Sequence, residues 1–251
     1  EEITGILNGT TNFILTKMDK EGASFETVLK EAQDLGYAER NPEADVEGYD
    51  TCRKIAILTA VATGKEVNYE EIPTQGITKI TSMDSSYAAH MGAAIKLFGT
   101  SVNKDGKIYL EVAPVLVDAK DPLYAVTDVF NGILVVGNML GASMFYGSGA
   151  GKLPTASAVV ADVVDMARHQ HTNIYIDWKP EKLTLVSYDD SVNRFFVRTD
   201  SPKEEVEKIF GNVSYVENVV DGEYGFTTEA MAEKDFAAKA DKINVINRIR
   251  L

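Results

Sequence analysis

Between Gly36 and Lys54 the chain reads GYAERNPEADVEGYDTCRK. Five of these residues are carboxylates: Glu39, Glu43, Asp45, Glu47 and Asp50. Asp50 and Lys54 stand four apart, so on a helix they lie one above the other on a single face. Carboxylates that converge on one point can hold an ammonium group, and a lysine beside them can move a proton or polarise an oxygen. That combination suits an amino-acid substrate whose side-chain oxygen is the reacting group. A solvated acidic turn followed by an ordinary i,i+4 ion pair would use the same residues. Cys52 lies two positions from both Asp50 and Lys54, faces elsewhere on a helix, and reads as a small packing residue rather than a nucleophile.

The acidic stretch must be held between ordered elements. Apolar spacing through Ile6, Phe13, Ile14 and Met18 predicts a helix over 3–20, closed by Gly22. Ser24 is a good N-cap for a second helix that runs to about 35 and stops at Gly36. Pro42 is expected to keep the acidic loop extended. A buried helix is expected over 50–63, through Ile55, Ala56, Leu58, Ala60 and Val61. Another helix is expected over 84–99, with His90 packed on it. Residues 107–117 alternate as a strand, and Pro122 opens a short helix over 123–129. Strands are expected over 132–136 and 142–147 across a Gly-Asn-Met-Leu-Gly turn. A glycine loop over 147–153 then leads into a helix over 155–168 with a small first turn, Ala156-Ser157-Ala158.

Near residue 170 the composition becomes polar. His169-x-His171 has no cysteine or third histidine to complete a ligand set, so no metal site is expected. From 190 a second module is expected: a strand over 192–199, a helix over 202–210, and a hairpin of 213–220 with 224–230 across Asp221-Gly222. A helix over 232–242 and a strand over 245–251 complete it. That order is βαββαβ, the split ferredoxin-like unit. The expected fold class is α+β, helices packed on a mixed sheet over 1–170, a linker over 171–189, and the small unit over 190–251.

Composition excludes several functions. The net charge is −13, with a pI near 4.7. Nothing basic is available to follow a phosphate backbone or an anionic bilayer, so neither nucleic acid nor membrane is an expected partner. No apolar run is long enough to span a bilayer, and no signal-peptide pattern is present. A single cysteine rules out an internal disulfide framework and fits a cytoplasmic location. The first residue is Glu1 rather than Met, and no G-x-G-x-x-G follows an opening strand. Gly147-x-Gly149-x-Gly151 has the wrong spacing for that fingerprint. The expectation is that an N-terminal part is missing.

Three blocks resemble the homoserine dehydrogenase family. GYAERNPEADVEGYDTCRK is similar to its GYAE-x-DP-x-x-DVEG-x-D-x-x-RK pattern. Gly5-Ile6-Leu7-Asn8-Gly9-Thr10-Thr11-Asn12-Phe13-Ile14-Leu15 is similar to GI-x-NGTTN-[FY]-I-L. Residues 147–162, GSGAGKLPTASAVVAD, are similar to G-x-GAG-x-x-PTASAVV-x-D. Asn41 departs from the usual Asp before Pro42 and makes that side chain neutral.

The resemblance implies NAD(P)-dependent interconversion of L-homoserine and L-aspartate 4-semialdehyde, in threonine, methionine and isoleucine biosynthesis. It implies that NAD(P) is bound mainly by a Rossmann domain preceding this chain. It implies Lys54 as the group that moves the proton, with Glu39 and Asp50 at the ammonium and hydroxyl end of the substrate and Asp45 supporting them. Tyr37, Gly9 and Thr10 would join the substrate contacts, although the NGTTN run could equally cap and seat the first helix. Gly36 and Gly151 would lie near the cofactor, where a missing side chain lets backbone approach. The N-terminus of the helix over 155–168 could offer amides to an anion, or its alanines could serve only close packing.

The unit over 190–251 resembles the ACT domain appended to many members. Its Asp200-Ser201-Pro202-Lys203 turn lacks the glycine usual in ligand-binding examples, so little threonine binding is expected there. The edges and open face of such a unit, together with the resemblance, lead to the expectation of a homodimer. Two other readings use the same residues. One is a non-catalytic amino-acid-sensing or dimerising module. The other is a different semialdehyde or sugar-phosphate dehydrogenase, which would need a nucleophilic thiol or a basic phosphate site.

Overall fold

The computed structural model describes residues 1–173 and 179–251. The chain opens on a strand, β1 (Glu2–Ile6), not on the helix expected from residue 3. β1 pairs antiparallel on both sides, and those tertiary hydrogen bonds override the helical spacing that begins at Ile6. Helix α1 (Gly9–Glu21) starts where Asn8 caps it, its Oδ1 accepting from the N–H of Thr11 at 2.9 Å. Gly22, at φ 65°, closes the helix through an N–H bond to the Met18 carbonyl. Ser24 caps α2 (Phe25–Asp34) as expected.

The acidic loop is not extended. Pro42, at φ −87° and ψ 8°, leads into a single helical turn, α3 (Glu43–Val46). A proline's fixed φ suits a helix start, and Glu43 and Asp45 in the first turn oppose the positive end of the helix dipole. Gly48, at φ 82°, turns the chain into α4 (Tyr49–Thr63), which buries Thr51, Cys52, Ile55, Ala56, Thr59 and Ala60. Val61 was expected inside, but its side of the helix faces solvent along with Ile57.

Helix α5 (Ser82–His90) carries a reciprocal cap between Thr81 and Asp84. It ends far short of the expected residue 99, with His90 exposed rather than packed. Gly92, in the left-handed region at φ 67°, reverses the chain into β2 (Ala93–Lys104), which pairs along its whole length with β3 (Lys107–Asp118). A 3₁₀ turn at Pro122–Ala125 follows. Then come β4 (Phe130–Gly137), β5 (Gly141–Ser148) and α6 (Lys152–Arg168), a helix with no buried residue. Part of the expected linker, 174–178, lies outside the described residues. Lys179–Lys182 forms a short ladder with Lys65–Glu66.

The last third supplies β6 (Phe195–Thr199), α7 (Lys203–Phe210), β7 (Ser214–Val216), β8 (Tyr224–Thr227), α8 (Glu233–Ala240) and β9 (Val245–Arg250). The main sheet has nine strands in the order β7-β8-β6-β9-β3-β2-β1-β4-β5. Among the strands of this sheet β9 and β3 run parallel, meeting at Arg250 and Val115, and the other pairs described within it are antiparallel. The fold is therefore α+β on a mixed sheet. Its final βαββαβ unit continues the same sheet rather than forming one of its own.

The largest core joins α1, α2, α4 and α5 to one face of the central strands, around Phe13, Ile14, Met18, Ile55, Tyr87 and Leu97. A second core, with Phe195, Phe210, Phe226 and Phe236, fills the final unit. Each fully buried aromatic contributes about 1.5–3 kcal/mol of apolar transfer. A buried ionic seam ties the two parts together. Arg198 on β6 pairs with Asp84 on α5 at 2.7 Å and with Glu223 at 2.8 Å, and Asn247 on β9 donates to Asp84 at 2.9 Å. Ion pairs this deep hold only where every partner is satisfied, so the seam fixes how the final unit meets α5.

Candidate active site

Two elements deliver ionic groups to one spot at the β1–α1 junction. Asp45 comes from the turn α3, while Asp50 and Lys54 come from the first turns of α4. The Nδ2 of Asn8 donates to Asp45 Oδ1 at 2.7 Å and to Asp50 Oδ2 at 2.8 Å. Lys54 Nζ donates to the same Asp50 oxygen at 2.7 Å and to the carbonyl of Leu7 at 3.0 Å. The Lys54 side chain is 48% exposed and that of Asp50 30%, so the pair is open to a small solute on one side. Burial pushes the Asp45 carboxyl above its usual range; the Asn8 hydrogen bond and Lys54 oppose this, while Asp50 and Glu39 add to it. Glu39 therefore belongs to the same electrostatic neighbourhood, on the exposed loop after α2.

The other expected residues stand at the start of α1, in the loop after α2 and before α6. Thr10 donates its hydroxyl to the Tyr37 carbonyl at 2.6 Å, tying the start of α1 to the loop. The Tyr37 ring packs edge-on against Phe13, with centroids 5.1 Å apart. Gly9 is sterically required: a Cβ there would lie 2.7 Å from the Val129 carbonyl oxygen. Gly36, at φ 76°, has open space where a side chain would stand. Gly151, at φ 113°, precedes the N-terminus of α6, and no hydrogen bond joins it to the Lys54 cluster among the described residues.

Two features were not assigned from the sequence. Asn8 stood within a run read as a substrate contact or a helix cap, and its local signal was the capping preference alone. Its reach to Asp45 and Asp50 spans 37 and 42 positions, beyond any local pattern. The segment 73–77 backs the acidic turn: Ile77 N donates to the Val46 carbonyl at 2.8 Å. A Cβ on Gly76 would sit 2.2 Å from that same oxygen, so only glycine permits this approach.

Residues 1–164 match the family model described as homoserine dehydrogenase. The chain belongs to the homoserine dehydrogenase family. It is 45% identical over 173 residues to the homoserine dehydrogenase of Bacillus subtilis, a match covering 69% of this chain and 40% of that protein. A crystal structure of a homoserine dehydrogenase from Thiobacillus denitrificans superposes with a TM-score of 0.88 at 34% identity, covering 100% of this chain and 64% of that one. A hyperthermophilic archaeal homoserine dehydrogenase mutant in complex with NADPH is similar over 70% of this chain and 49% of its own, with a TM-score of 0.56 at 31% identity. The chain thus spans about 40% of the length of the Bacillus subtilis relative. As a member of the homoserine dehydrogenase family, it carries the family's acidic motif on α3 and α4 and the NGTTN run at the cap of α1, so the two blocks meet through Asn8.

Proposed function

We propose that the polypeptide carrying this chain interconverts L-homoserine and L-aspartate 4-semialdehyde with NAD or NADP, in threonine, methionine and isoleucine biosynthesis. One observation carries the reading: Lys54, Asp50 and Asp45 converge on the Leu7–Asn8 junction inside the family's two motifs. A bound nicotinamide cofactor supplies the hydride acceptor or donor. This chain's residues orient the substrate and manage one proton. Glu39 and Asp50 hold the ammonium and hydroxyl end, and Asp45 supports them. When the aldehyde is reduced, the Lys54 ammonium donates a proton to the oxygen; when the alcohol is oxidised, the neutral amine takes that proton. Tyr37, Gly9 and Thr10 border the substrate.

The backbone at Gly36 and Gly151 leaves room for the cofactor to approach: among the described residues nothing stands within 4 Å of the missing Gly36 side chain and Pro154 alone does so at Gly151. The NADPH held by the archaeal relative supports the cofactor class. A sensing module would need carboxylates for an ammonium group but no lysine aimed at the same point, which favours the catalytic reading. Homoserine-dependent reduction of NAD or NADP by the complete polypeptide tests it; absence of turnover with either cofactor would refute it.

The same reading divides the chain into a substrate domain over 1–170, a connecting segment over 171–189 and an ACT-like unit over 190–251, in a cytoplasmic homodimer. β5, an edge strand exposing Phe145 and Tyr146, offers a surface for a second copy. Sedimentation at micromolar concentration should show twice the 27.4 kDa chain mass, and a species of 27.4 kDa alone would refute the dimer. The ACT-like unit is proposed to be structural at its first turn. Ser201 is buried, its N–H bonds Thr199 Oγ1, its hydroxyl accepts from Asn244 N and its carbonyl accepts from the Tyr224 hydroxyl. Those groups are already occupied within the protein, which leaves them poorly placed to hold an amino acid.

A further inference from the structure

We propose that the Leu7–Asn8 junction is the positioning element of the site, with Asn8 setting the spacing of Asp45 and Asp50 for the amino-acid substrate. This inference rests on the homoserine reading above. The Asn8 side chain uses both ends. Its oxygen accepts from Thr11 N at 2.9 Å and from the Thr11 hydroxyl at 3.1 Å, while its nitrogen donates one hydrogen to each carboxylate. The amide has one possible orientation: reversed, it would place an oxygen against two carboxylates and an NH₂ against the Thr11 N–H.

Asp45 and Asp50 repel each other, and a donor between them offsets that repulsion. The neighbouring residue completes the arrangement, since the Leu7 carbonyl holds the Lys54 ammonium. The junction cannot yield easily. β1 is paired on both sides, Asn8 is 6% exposed, and Gly9 lies tight against Val129. Two adjacent residues thus fix the distance between the proton-moving lysine and the two acids.

A cap alone does not need the amide nitrogen. Serine and aspartate cap helices about as well as asparagine, but serine cannot donate to both carboxylates and aspartate would add a third charge. The test compares Asn8→Ser and Asn8→Asp with wild type in the complete polypeptide. Asn8→Ser should keep its urea midpoint near wild type, and Asn8→Asp, with a third carboxylate at a buried position, should lower it. KM for L-homoserine should rise roughly ten- to hundredfold, the usual cost of losing a hydrogen bond to a charged group. KM for the nicotinamide cofactor should stay within about twofold, and Asn8→Asp should be the more impaired. A KM for homoserine within about twofold of wild type in either folded variant would overturn the proposal and leave Asn8 as a cap. A crystal structure of Asn8→Ser supplies a readout independent of turnover: a widened Asp45–Asp50 separation is expected, and an unchanged one would overturn the proposal. Failure of the wild-type protein to turn over homoserine would instead refute the function and leave this structural readout standing.

Discussion

Lys96→Met should stabilise the protein at neutral pH. Lys96 sits on β2 with only 2% of its surface exposed, and among the described residues its ammonium donates to one acceptor, the Val126 carbonyl at 2.6 Å. Burial pushes its pKa down from 10.5 to about 8, against the pull of Asp19 and Asp128 and with the help of Lys20. At about 1.4 kcal/mol per pH unit, that difference sets a ceiling of about 3 kcal/mol on the cost of keeping the lysine charged in the fold. The sign follows from proton binding. Between pH 8 and 10.5 the unfolded chain holds a proton that the folded chain has released, so stability gained from this residue rises with pH across that window and is least below it. Methionine fills a similar volume without a charge. The Val126 carbonyl keeps a second donor, Asn12 Nδ2 at 3.3 Å, so it is not orphaned. After subtracting about 1.5 kcal/mol for the lost charged hydrogen bond, a net gain of about 1–2 kcal/mol is expected at pH 7. Urea unfolding of both proteins at pH 7 and pH 10 measures it, and the advantage of Lys96→Met should shrink at the higher pH. A variant destabilised by more than about 1 kcal/mol at pH 7, with the same gap at pH 10, would refute the reasoning and show that Asp19 and Asp128 fully compensate the charge.

Asp84→Ala should destabilise the protein by about 3–5 kcal/mol, because it strands the buried Arg198 guanidinium; urea unfolding checks this, and a loss below 1 kcal/mol would show that Glu223 alone satisfies the arginine. Calorimetric titration with threonine should show no saturable binding at micromolar concentration at the turn 200–203. Saturable binding abolished by substitutions at those positions would refute this. The 251-residue chain alone should fold on its cores yet oxidise no homoserine, and measurable turnover would show that no further cofactor-binding segment is needed.

Much of the fold was legible where local rules and tertiary packing agree. Ser24 and Gly22 cap as their types predict, β3 alternates from Lys107 to Val112, and the elements of the βαββαβ unit appear in the expected order. The expectation failed where the helix was carried on through a strand. Ile95 and Leu97 are two apart, which is the period of a strand and not of a helix face, and Gly92 marks where α5 stops. The continuity of the sheet was hidden for a different reason, because the parallel meeting of Arg250 with Val115 joins positions far apart in the chain. In the site, Asp50 and Lys54 were visible through their helical spacing. Asn8 and Gly76 were not, because each acts through a contact with a distant residue that no periodicity encodes.

The most direct measurement is the turnover of Lys54→Ala in the complete polypeptide with saturating homoserine and cofactor. Loss of a positioned proton donor should lower kcat by roughly a hundredfold or more, while KM for homoserine changes far less. A variant that keeps more than half of the wild-type kcat would contradict the assignment of proton transfer to Lys54, and with it the central reading of the site.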